Sequence, residues 1–252
     1  MTNEPAMRPA VSLTRIAAVA RLRLRRVVRT RLVLVALVLA LLPWAIVESS
    51  SLIARLAALT SFTVVGLTAL AAGAIADDLD SGEYAIATAH DVRPIEVLGG
   101  QAAAALGLAA ALVAIQLPIA FDGSAIPAIA PLLLCMGWLA AFLAGWLALM
   151  LLLATLLDGK GNAVAMIPVL FLPLALGAGV LDRLPHLPAM LVRGVVQLLP
   201  QVDQATAMFR VALNRSPAPA AAPFVLLASP FLYFALASIR LRRIEPAGRL
   251  TQ

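Results

Sequence analysis

Long apolar runs separated by short polar breaks set the character of this chain. The runs cover 32–47, 56–76, 102–121, 128–157, 163–181 and 224–239, and a helix needs about 20 apolar residues to cross about 30 Å of hydrocarbon. The pattern predicts an all-α polytopic membrane protein with six transmembrane helices. The first and last runs hold 16 residues each, so Thr30, Arg31 and Arg240 must snorkel or the bilayer must thin. The fourth, with 30, must tilt or protrude.

Ahead of the first run, residues 13–29 have helical periodicity. Leu13, Ile16, Ala17, Ala20, Leu24, Val27 and Val28 fall at i, i+3, i+4 and i+7 spacing, while Arg15, Arg25, Arg26 and Arg29 point the other way. The expected element is an amphipathic interfacial helix with Ser12 as N-cap and Arg21 and Arg23 snorkelling at its flanks. Between the fifth and sixth runs, residues 182–223 contain an apolar stretch from Ala189 to Leu199, bounded by Pro188 and Pro200, and a helical stretch from Val202 to Leu213. Eleven residues cannot cross the hydrocarbon, so short re-entrant or interfacial helices are expected before the last span. Pro168, Pro173 and Pro230 break helical hydrogen bonds, as a span in an opening pathway or an inert membrane helix can both do. Gly137, Ala141 and Gly145 form a small-residue ladder that permits close helix contact.

Composition agrees. Hydrophobic residues make up 62% of the chain, charged residues 13%, and mean hydropathy is +0.98, which excludes an ordinary soluble domain. The excess of six positive charges is unevenly placed. Eight arginines in 1–31, Arg93, Lys160 and four arginines in 240–252 give 14 basic residues on one face, against five on the other (Arg55, Arg183, Arg193, Arg210 and Arg215). The positive-inside rule then puts both termini in the cytoplasm. The expected division is a cytoplasmic arm and elbow helix at 1–31, one six-span domain at 32–239 and a cytoplasmic tail at 240–252.

The basic arm lacks the aromatic or polar partners that nucleic-acid reading needs. Nor does it read as a signal peptide, because the site after the first run, Val47-Glu48-Ser49-Ser50, lacks a small-x-small pattern. Cys135 stands alone, so neither an intrachain disulfide nor a thiolate metal site is expected. No ionisable residue falls well inside an apolar run, which argues against proton or sodium relays and for another energy source.

The most unusual stretch is 77–101. It holds six of the chain's 13 acids against one arginine, although the whole chain is basic. A simple connection needs only a few residues, as at 158–162. Asp77-Asp78-Leu79-Asp80 resembles half of a magnesium-diphosphate site of membrane prenyltransferases, but the second half is missing. Gly159-Lys160 lacks a phosphate-binding loop frame, and His90 and His186 have no nucleophilic arrangement around them. Catalytic and metal-binding residues are therefore not expected.

Layout and loop together resemble the permease subunits of type-2 ABC exporters. In that family the second span ends in acids followed by Gly, an apolar segment, a Pro-containing turn and a short helix ending in Gly-Lys. Here Asp77, Asp78 and Asp80 precede Gly82, Tyr84 to Ala87 is mostly apolar, and Gly100-Gln101 falls where Gly-Lys stands. Asp91 replaces the turn proline, with Pro94 following, and Gln101 replaces Lys; Asp91 is expected to cap a short helix from Val92 to Leu98. The resemblance implies that Asp77, Asp78, Asp80, Gly82, Glu83, Asp91, Arg93, Pro94 and Glu96 couple to a separate cytoplasmic ABC ATPase, which holds ATP and Mg. Glu83, Asp91 and Glu96 are expected to be exposed for that contact. It further implies a second permease chain, a bacterial inner-membrane location and a pathway lined by the first, second and fifth spans, with Trp44, Phe62, Thr63 and Pro173 as candidates. Two alternatives are a haem-export-type permease and a membrane anchor or assembly factor that moves no solute.

Overall fold

A computed structural model describes residues 11–46, 51–71, 87, 92–122, 127–157, 199–213, 215, 217 and 221–244. The described residues form seven α-helices and no strands: α1 (Leu13–Val28), α2 (Leu32–Leu41), α3 (Leu52–Ala71), α4 (Pro94–Phe121), α5 (Ile129–Leu156), α6 (Val202–Ala212) and α7 (Ala222–Ile244). A 3₁₀ turn, Leu42–Ile46, extends α2 through Pro43.

Four helices are long and apolar enough to cross a membrane, over Leu52–Leu70, Pro94–Phe121, Ile129–Leu156 and Ala222–Arg243. They match the second, third, fourth and sixth expected spans. The first run is helical over Leu32–Ile46 but short, and meets α1 at a bend of 76°. The fifth run, 163–181, lies outside the described residues.

Large apolar side chains face outward, including Phe231 at 79% exposure, Ile129 at 76% and Phe224 at 74%. Such surfaces fit a lipid surround and would be a liability in water. Within lipid, dense packing and satisfied polar groups hold helices together, since burial against lipid tails gives little driving force. The main core joins α3, α4, α5, α6 and α7 through Leu56, Leu59, Phe142, Trp146, Phe209 and Leu226. Phe142 and Trp146 stack with centroids 6.4 Å apart, and the Trp146 indole N–H donates to Thr68 Oγ1 at 3.2 Å. Thr60, Ser61 and Thr68 donate to carbonyls one turn back, so these span hydroxyls cost little in hydrocarbon.

α3, α4 and α5 alternate in direction, and α7 runs the same way as α5. Arg55 at the start of α3 donates to the carbonyl of Asp122 just past α4, and Gln116 of α4 meets Thr63 of α3, so these two run antiparallel. At the opposite end, Val97 and Leu98 of α4 pack with Leu151 and Ala154 of α5 and Ala237 and Leu241 of α7. One end of the bundle thus gathers the start of α4 and the ends of α5 and α7.

Small residues set the closest approaches. A Cβ at Gly145 would stand 2.5 Å from Ser229 Oγ, so α5 and α7 cross there. Gly137, the other glycine of the expected ladder, has open space where its Cβ would be.

Candidate functional site

Two polar clusters sit in this apolar frame. The first joins α1 to α4. α4 starts at Pro94, which fits the first helical position because a missing N–H costs nothing there. Its N-cap, Arg93, offers no acceptor, and the free backbone donor is taken by the residue three further on: Arg93 N–H donates to Glu96 Oε2 at 2.8 Å. The other carboxylate oxygen, Oε1, accepts the backbone N–H of Ser12 at 2.7 Å, and Arg15 Nη1 stands 3.7 Å from Oε2. Ser12 is the N-cap of α1, its Oγ accepting from Arg15 N–H at 3.5 Å. One fully buried carboxylate therefore serves the N-termini of two helices. Two N–H donors, a guanidinium and the positive end of two helix dipoles all favour its charged form there.

Gly100 completes this junction. A Cβ on it would lie 2.5 Å from Val19 Cβ and Cγ1 and 3.1 Å from the Ala20 backbone nitrogen, so only glycine lets α1 rest on α4 here.

Four expectations are corrected by this arrangement. Glu96 is not exposed; it is 0% accessible and faces α1. The segment after Pro94 is not a short helix stopping at Gly100-Gln101, since α4 runs unbroken to Phe121. Arg93 rather than Asp91 is the N-cap. Arg23, expected to snorkel, is buried beside Val27, Gln101 and Leu147. α1 therefore turns one stripe (Ile16, Val19, Ala20, Arg23, Val27) towards protein and leaves Leu13, Ala17 and Val28 exposed for lipid.

The second cluster lies deep among α2, α3 and α4. Gln116, fully buried, accepts the Trp44 indole N–H on Oε1 at 3.0 Å; its Nε2 donates to Thr63 Oγ1 at 3.1 Å and to the Leu112 carbonyl at 3.2 Å. Trp44 meets Phe62 edge to face, with centroids 5.4 Å apart and planes at 82°. Trp44, Phe62 and Thr63, named from the sequence as candidates to line a pathway, meet in this cluster. Gln116, which joins them, was missed although it is the sole polar residue in the third apolar run.

Asp77, Asp78, Asp80, Gly82, Glu83, Asp91 and Pro173 lie outside the described residues. Among the described residues, no group of three or more His, Cys, Asp or Glu side chains is placed to hold a metal ion. No known family and no curated protein matches this chain. Helical membrane architecture with four apolar helices of spanning length is the class the structure defines.

Proposed function

We propose that this chain is the permease subunit of an ATP-driven exporter of the type-2 ABC kind. It forms half of a six-span-per-chain pathway in a bacterial inner membrane and takes its energy from a separate ABC ATPase that carries ATP and Mg. The observation that carries the reading is the continuity of α4, whose first turn directly follows the acidic segment 77–91. Its 28 residues make a rod of about 42 Å, so a push delivered at Pro94 moves its whole length. Through Glu96 and Gly100 the same push reaches α1, and through Gln116 it reaches Trp44 and Thr63. A segment that docks an ATPase needs this kind of connection to the spans it drives.

On this reading Asp77, Asp78, Asp80, Gly82, Glu83 and Asp91 meet the ATPase. Glu96 and Pro94 anchor the start of the rod, and both termini are cytoplasmic. The fifth span and the re-entrant helices complete the six-span plan, α6 being the second of the short helices. Purification from membranes in mild detergent tests the proposal, with an ABC ATPase and a second permease chain expected to copurify. Recovery of the chain with neither, from membranes that contain both, contradicts it.

A further inference from the structure

The outer side of α4, α5 and α7 carries a cleft of about 530 Å³. Ile95 and Leu106 of α4, Ala144 and Leu151 of α5, and Phe231 and Arg242 of α7 mark its walls. It exists because small side chains, Ala102, Ala148 and Ala235, stand where larger ones would close the gap. At its far end is Pro230, a break in the α7 hydrogen-bond ladder.

Only two polar side chains line this cleft among the described residues. Ser238 donates its hydroxyl proton to the Phe234 carbonyl at 2.8 Å, so that proton is already taken. Arg242 is exposed in the last turn of α7, flanked by Arg243 and, two positions earlier, Arg240. The cleft is therefore apolar along its length and cationic at one end. From Arg242 to Phe231 is about 16 Å along the helix, roughly half the hydrocarbon thickness, which is the depth of one leaflet. Water has too few polar partners to be held there, whereas an acyl chain matches the walls.

We propose that the cleft binds one acyl chain of an anionic phospholipid, with the phosphate at Arg242 and the chain running towards Phe231. This site is independent of the transport reading: it uses the back of α4, α5 and α7, not Trp44 or Gln116. Basic pockets between spans select anionic headgroups, and a single arginine near the surface gives a preference of about fivefold.

The test is native mass spectrometry of the full-length chain in mild detergent, with phosphatidylglycerol or phosphatidylcholine of identical chains. Wild-type protein is expected to retain phosphatidylglycerol about fivefold better. Arg242→Gln, at an exposed position, should abolish the preference, and Arg243→Gln, outside the cleft, should keep it. Ala144→Leu should lower retention of both lipids at unchanged helical circular dichroism; if it does not fold, the arginine pair decides alone. Equal retention of the two lipids by wild type overturns the proposal, as does equal loss in both arginine variants. A two-copy species broken by Ala144→Leu without lipid preference would assign the cleft to a second copy instead.

Discussion

Glu96, in the first turn of α4, accepts the backbone N–H of Ser12 at 2.7 Å, although 84 positions separate them. Ser12 begins α1 as Arg93 begins α4, so a single carboxylate performs for two helices what a capping box performs for one. The junction fixes α1 against α4 at the end of the bundle where α5 and α7 also finish.

Removing that carboxylate should loosen both helix starts. In Glu96→Ala the N–H groups of Ser12 and Arg93 lose their acceptor, a loss of about 1–3 kcal/mol. Hydrogen exchange should accelerate across Leu13–Val28 and the first turn of α4, and less so in Glu96→Gln, whose amide oxygen still accepts. Unchanged protection in Glu96→Ala would show that α1 is held by apolar contact alone.

Glycine substitutions should split by position. Gly100→Ala forces a methyl into Val19 and should lower stability by about 1–3 kcal/mol, with α1 displaced. Gly137→Ala meets nothing within 4 Å and should raise stability by up to about 1 kcal/mol. Thermal midpoints in one detergent check both; equal shifts of the same sign contradict the packing described here.

Trp44 and Gln116 should be energetically coupled. A double-mutant cycle of Trp44→Phe and Gln116→Leu is expected to give about 0.5–2 kcal/mol of coupling, the range for hydrogen bonds between membrane helices. Additive losses would mean that the bond does not persist in the bilayer.

Orientation is checked with single cysteines after Cys135→Ala. Thr14, exposed on α1, and Ser81 should be shielded from an impermeant thiol reagent in intact cells, while Ser216 should react. Labelling at Ser81 from outside would overturn the orientation and the ATPase-docking role together.

Periodicity and run length made much of this architecture legible. α1 begins after Ser12 as its apolar spacing predicts, and α5 fills 129–156 within the apolar run 128–157. What stayed hidden depended on contacts distant in sequence. Gly100-Gln101 read as a helix end, because isolated sequence cannot distinguish a breaker from a place where another helix must pass. Glu96 read as a surface charge because its partner, Ser12, belongs to a helix formed far earlier in the chain. Gln116 carries no charge to mark it in an apolar run, yet an amide with donors and acceptors can link three helices.

ATP turnover tests the central claim most directly. Purified, contaminant-free chain should hydrolyse no ATP, and addition of the copurified ATPase in liposomes should give turnover together with movement of cargo across the membrane. Hydrolysis by the isolated chain, or no effect of the chain on the ATPase and no cargo movement, would contradict the account.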